Sequence, residues 1–182
     1  MKTRDMALTG VMAAFICIAG PLTVPAGPIP LSLATFAVYL AGAVLGRKQG
    51  TLAVALYLLI GIAGVPVFSG FSGGFQKLAG VTGGYLVGYL FCAFITGLGS
   101  GRPAQKSPRP LPVMILCMAA GTVALYAFGT AWFVIQTGNA LGAALTLCVL
   151  PFLPGDTVKI IAAALIAVPV RKALDNMNKA AS

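Results

Sequence analysis

Six apolar runs, separated by short gaps that hold nearly all of the charge, leave this chain few ways to fold. A hydrocarbon slab about 30 Å thick takes roughly 17 to 25 helical residues to cross. Runs bounded by Gly, Pro or charge occur at Met6 to Val24, Leu31 to Leu45, Thr51 to Val65, Val81 to Leu98, Leu111 to Phe128 and Thr157 to Val170, with a further apolar piece, Ala140 to Leu153, before the last. Of 182 residues, 59% are hydrophobic and 8% charged, more apolar surface than a water-soluble domain of this size can hide. The expectation is an all-α integral membrane protein: a single transmembrane domain over residues 1–182 with six transmembrane helices. Several runs are short for a crossing, so flanking residues or a locally thin bilayer must make up the length.

Charge gives a separate test of this reading, because Lys and Arg accumulate in cytoplasmic loops. Numbering the gaps alternately, one side receives Lys2, Arg4, Arg47, Lys48, Arg102, Lys106, Arg109, Arg171, Lys172 and Lys179, ten of the twelve basic residues. The other side receives Lys77 and Lys159. That split supports an even number of spans, with both termini expected in the cytoplasm. The stretch Gly99 to Pro110, rich in Gly, Ser, Pro and basic residues, reads as a linker at the inner surface.

The same distribution argues against nucleic acid as a partner, since a net charge of +9 would then have to form a basic face on a soluble fold. Lys2 and Arg4 before an apolar stretch resemble a signal peptide, but five more apolar runs follow, so the first is read as a retained span. Cys17, Cys92, Cys117 and Cys148 are far apart inside apolar runs and there is no histidine, which argues for small core residues and against a metal site. In the first span, Thr9 with Ala13 and Gly10 with Ala14 are small pairs at helical spacing, suited to close approach by another helix, either within the chain or from a partner.

Only three acids are present. Asp5 and Asp175 flank the first and last spans in basic surroundings, which leaves Asp156 in Pro151-Phe-Leu-Pro-Gly-Asp-Thr-Val-Lys159. Pro154 and Gly155 are read there as a chain break, with Asp156 capping the helix that follows. Lys159 falls on the same helix face. Charges at membrane depth cost about 2.5–3.5 kcal/mol each at mid-bilayer, so such a pair usually faces a cavity. Glycine-rich segments from Gly64 to Lys77 and from Gly80 to Tyr85 supply backbone N–H groups at Gly83 and Gly84. Phe68, Tyr85, Phe36 and Tyr39 are candidates to wall a pocket. No glycine-rich loop ending in Lys-Ser or Lys-Thr exists for ATP. Nor are there residues in number for a general acid–base pair, an activated nucleophile or a metal centre, so no catalytic residue is expected.

Three blocks carry a resemblance: Pro28-Ile-Pro-Leu-Ser-Leu-Ala-Thr35; Leu56 through Val65-Pro-Val-Phe68 to Gly80-Val-Thr-Gly-Gly-Tyr-Leu86; and Pro151-Phe-Leu-Pro-Gly-Asp-Thr-Val-Lys159. In this order, across almost the whole chain, they resemble the BioY family, the biotin-capturing S components of energy-coupling-factor (ECF) vitamin transporters. Two positions depart from it: Ala34 stands where the family commonly has Gln, which removes a polar contact in or near the pocket, and Val81 where it has Pro.

The resemblance implies an S-component fold in the cytoplasmic membrane of a prokaryote, with an outward pocket closed by the loop from Pro21 to Pro30. It implies biotin as ligand, no cofactor, and as partners a transmembrane coupling subunit and two cytoplasmic ATPase subunits, which alone use ATP. Asp156 would accept from the ureido nitrogens, with Lys159 orienting it or donating to the ring carbonyl. Phe68, Tyr39 and Tyr85 would cover the sulfur ring and tail. Thr35, Thr82, Lys77 or the Gly83 and Gly84 backbone are the donors open to the tail carboxylate, and Gly10 with Ala14 is the candidate docking face. The rivals are an S component for another vitamin, a small membrane enzyme acting on a lipid-linked substrate, and a structural scaffold.

Overall fold

The computed structural model describes residues 3–24, 29–100 and 110–180. In chain order these form α1 (Thr3–Ala19), the two-residue strands β1 (Thr23–Val24) and β2 (Leu31–Ser32), α2 (Ala34–Ile62), α3 (Phe75–Ala79), α4 (Gly83–Gly99), α5 (Leu111–Thr137), α6 (Leu141–Cys148) and α7 (Leu153–Ala180). By length and composition Ala34–Ile62, Leu111–Thr137 and Leu153–Leu174 are long and apolar enough to cross a membrane, and Gly83–Gly99 is a shorter apolar helix. The chain is a mostly helical membrane protein.

α2 is two helices rather than one span. Gly46 has φ 78° and ψ 176° inside it, a conformation open to glycine and strained for other residues. A Cβ built on Gly50 would lie 2.7 Å from the Ala41 carbonyl oxygen and 2.8 Å from the Gly42 Cα. In a straight helix those residues would be about 12 Å apart along the axis, so the chain folds back at Gly46. The two arms, residues 34–45 and 47–62, match the separate second and third apolar runs.

The arms of α2 form the centre of the molecule, packed on α1, α4 and α7, and α5 packs on α4. Close approach comes from small residues. A Cβ at Gly42 would sit 2.7 Å from the Ala93 oxygen and 2.9 Å from the Thr96 Cβ. On α1 the small pairs divide: Thr9 and Ala13 are buried, whereas Gly10 and Ala14 face outward.

One end of the bundle gathers basic residues. The buried Arg171 of α7 donates through Nη1 to the carbonyls of Ala43, at 3.3 Å, and of Ser100, joining the end of the first α2 arm to the end of α4. Arg4 Nη2 donates to the Leu174 carbonyl at 3.1 Å, and Gly97 packs on the Arg47 backbone. Arg4, Arg47, Lys48, Arg171 and Lys172 therefore lie at this end, and Lys77 and Lys159 at the other. Lys2, Arg102, Lys106 and Arg109 lie outside the described residues, as do residues 25–28 of the expected closing loop and most of the Gly99 to Pro110 linker.

Gly42→Val is expected to destabilise the protein by about 1–3 kcal/mol through overpacking, read as a lowered unfolding midpoint in detergent. Gly10→Val, beside which no atom lies within 4 Å, is expected to leave that midpoint in place.

Candidate functional site

At the end away from Arg171, the starts of the first α2 arm, α4 and α7 converge with the middle of α5 around a cavity. α7 begins at Leu153, earlier than expected, so Pro154, Gly155 and Asp156 lie in its first turn rather than before it. Proline is accommodated there because its missing N–H has no helical acceptor to lose. Asp156 therefore does not act as the expected helix cap: its own N–H already donates to the Phe152 carbonyl at 2.8 Å, and its carboxylate is turned to side chains.

Those side chains surround it closely. Lys159 Nζ donates to Asp156 Oδ1 at 2.8 Å, and the Tyr126 hydroxyl donates to Oδ2 at 2.7 Å. Thr35 approaches Oδ1 at 3.4 Å. Asp156 is 3% exposed, so an ionised carboxylate there needs these partners. Lys159 has two further acceptors, the Ser32 carbonyl at 2.8 Å and Thr35 Oγ1 at 3.0 Å. An ammonium carries three N–H donors, and each has an acceptor within the protein.

The cavity is lined by Ser32, Thr35, Phe68, Lys77, Thr82, Tyr85, Tyr89, Tyr126, Asp156 and Lys159, among others, and opens to solvent. Phe68 is held in place by Tyr57, whose ring meets it edge-on at 5.5 Å. Tyr85 presents its ring, because its hydroxyl donates to the Cys148 carbonyl at 3.0 Å. From the expected closing loop, Ile29 and Pro30 line the cavity.

Four expected contributors, Tyr39, Phe36, Gly83 and Gly84, lie elsewhere. Tyr39 is fully buried, its hydroxyl 2.6 Å from Thr122 Oγ1, and neither it nor Phe36 is among the lining residues. Gly83 and Gly84 begin α4 and are packing glycines rather than a turn presenting N–H groups. A Cβ on them would collide with the Leu78 carbonyl and the Trp132 side chain, and the Gly83 N–H already donates to Gly80 at 3.0 Å.

Sequence reasoning missed Tyr126, Tyr89, Ser32 and Phe152. A signal for the tyrosines was present: Tyr85 with Tyr89, and Thr122 with Tyr126, are polar-tipped residues four apart in apolar runs, hence on one helix face. A second support is also absent from the sequence. Trp132 Nε1 and Gln136 Nε2, near the end of α5, donate at 2.9 Å to the carbonyls of Gly80 and Ala79, holding the segment between Lys77 and Thr82.

The family model for the BioY family matches residues 1–176. The chain belongs to the BioY family. A probable biotin transporter BioY from Pyrococcus horikoshii is 37% identical over 92% of this chain and 96% of its own length. The biotin transporter BioY of Thermotoga maritima is 37% identical over 93% and 96%. Among solved structures, the S-component for biotin from an ECF-type ABC transporter superposes with TM-score 0.85 at 29% identity, over 94% of this chain and 92% of that one. In this BioY chain the helical scaffold is thus that of an S component.

Breaking the pair isolates its energetics. Lys159→Met is expected to cost about 3–5 kcal/mol by leaving the carboxylate unpaired, measured by unfolding in detergent. Adding Asp156→Asn should recover most of that loss. Failure to recover would mean that Lys159 acts through Ser32 and Thr35 instead.

Proposed function

We propose that this protein captures biotin at the Asp156 cavity, as the substrate-binding S component of an ATP-driven vitamin transporter in the cytoplasmic membrane. Membership of the BioY family makes it a transport protein and not an enzyme. Its six membrane segments are α1, the two arms of α2, α4, α5 and α7, in one transmembrane domain. The basic end, with both termini, faces the cytoplasm.

The observation that carries the ligand assignment is the buried, fully oriented carboxylate of Asp156 in the wall of the cavity. Biotin's ureido ring offers two N–H donors, and a carboxylate has lone pairs beyond those used by Lys159 and Tyr126. Of the two roles open to Lys159, the engagement of its three protons favours orienting Asp156. Phe68 and Tyr85 cover the sulfur ring and tail. Thr82 and Lys77, at the mouth, receive the tail carboxylate; Thr35 is occupied by Lys159 and Asp156, and Gly83 and Gly84 are packed behind the wall. No cofactor is needed. ATP is used by two cytoplasmic ATPase subunits, acting through a transmembrane coupling subunit that docks on the outward Gly10 and Ala14 face of α1.

A calorimetric titration of the stripped, detergent-solubilised protein with biotin is expected to give tight one-to-one binding. Asp156→Asn should weaken it roughly 10- to 100-fold, as the loss of a charged hydrogen-bond acceptor does. A folded protein that ignores biotin would instead point to another vitamin. Gly10→Leu with Ala14→Leu should abolish partner-driven uptake and leave the titration unchanged; equal loss of both would assign that face to internal packing.

A further inference from the structure

Lys159 and Asp156 account for the ligand's ring nitrogens but leave its ring carbonyl without a donor. That oxygen is one bond removed from the carbon both nitrogens share, so its partner must lie at the depth of Asp156. Near that depth the donors are engaged within the protein. Lys159 has three acceptors, Tyr126 donates to Asp156, and the Ser32 hydroxyl donates to the Gly20 carbonyl at 2.9 Å. The Thr35 proton lies between the Ser32 carbonyl at 3.2 Å and Asp156 at 3.4 Å.

Five tyrosines are present, and their hydroxyls sort clearly. Those of Tyr39, Tyr85 and Tyr126 are hydrogen-bonded within the protein, and Tyr57 is not a lining residue. Tyr89 lines the cavity, is 7% exposed, and its hydroxyl has no hydrogen-bond partner among the described residues. Among the described residues the buried polar side-chain atoms sealed off without a partner belong to Thr96 and Thr130; the Tyr89 hydroxyl is not one of them, and its residue lines the cavity.

Its depth follows from packing. A Cβ on Gly88 would lie 3.3 Å from the Leu125 Cα, which sets Tyr89 within about a helical turn, along the bundle, of Tyr126, the residue bonded to Asp156. Thr82 is seven residues nearer the mouth, about 10 Å along the helix. The geometry points to Tyr89 as a specificity-determining residue whose hydroxyl donates to the ring carbonyl of the ligand. This rests on the assignment of biotin made above. It gives the cavity a donor for the urea oxygen opposite the acceptor for the urea nitrogens, and so distinguishes a urea from an analogue that lacks a strong acceptor there.

The test titrates wild type and Tyr89→Phe with biotin and with 2-thiobiotin, whose thiocarbonyl accepts hydrogen bonds weakly. Loss of the donor is expected to weaken biotin about tenfold or more and 2-thiobiotin by less than about threefold, erasing the preference for oxygen. The infrared carbonyl stretch of bound, carbonyl-labelled biotin should also move to higher frequency in the variant. Equal weakening of both ligands with an unmoved band would make Tyr89 a packing residue and overturn the inference, as would unchanged biotin affinity in the variant. If wild-type protein fails to bind biotin at all, the biotin reading itself falls and this inference with it.

Discussion

A carboxylate 3% exposed among apolar helices can stay charged only if its surroundings replace the water it has lost. The replacements come from three directions: Lys159 on its own helix, Tyr126 from α5, and Thr35 from the start of α2. The demand of one side chain for partners therefore fixes how α2, α5 and α7 meet. The site is in this sense part of the fold's own bonding, and the Tyr39–Thr122 hydrogen bond is a second polar tie between α2 and α5. At the far end Arg171 plays the corresponding role with main-chain carbonyls, so each end of the bundle is closed by one buried charge on α7.

Much of this was legible in the sequence because charge is so scarce. With three acids and no histidine in the chain, an acid in the middle of apolar sequence stands out, and a lysine three residues on must share its helix face. The reversal between the second and third runs was legible for a similar reason, since Gly46, Arg47 and Lys48 interrupt apolar sequence. The boundaries that misled were those where glycine or proline serves packing or a first turn. Pro154 and Gly155 read as a break but begin α7. Gly129 reads as an end to the fifth run, yet α5 continues to Thr137 because that glycine makes room for the Tyr85 ring. Val24, assigned to the first span, lies in β1, beyond the end of α1.

The cavity's tyrosines were the least legible part. In a membrane protein a tyrosine can sit at the interface, pack in the core or face a ligand, and its letter is the same in each case. What separates Tyr39, Tyr85, Tyr89 and Tyr126 is the partner each hydroxyl finds, and those of Tyr39, Tyr85 and Tyr126 are 83, 63 and 30 residues away. No local pattern can report such a pairing.

The helices differ in length in a way that bears on the surrounding lipid. α1 and α4 have 17 residues each, and α5 has 27, about 25 Å against about 40 Å at the α-helical rise. Hydrocarbon about 30 Å thick is too thick for the first two and too thin for the third. Because α4 and α5 pack directly on each other, a bilayer crossed by both meets a step of about 15 Å between neighbouring helices. Tilt of α5 or thinning of the lipid beside α4 takes up that step, at a modest cost for each ångström.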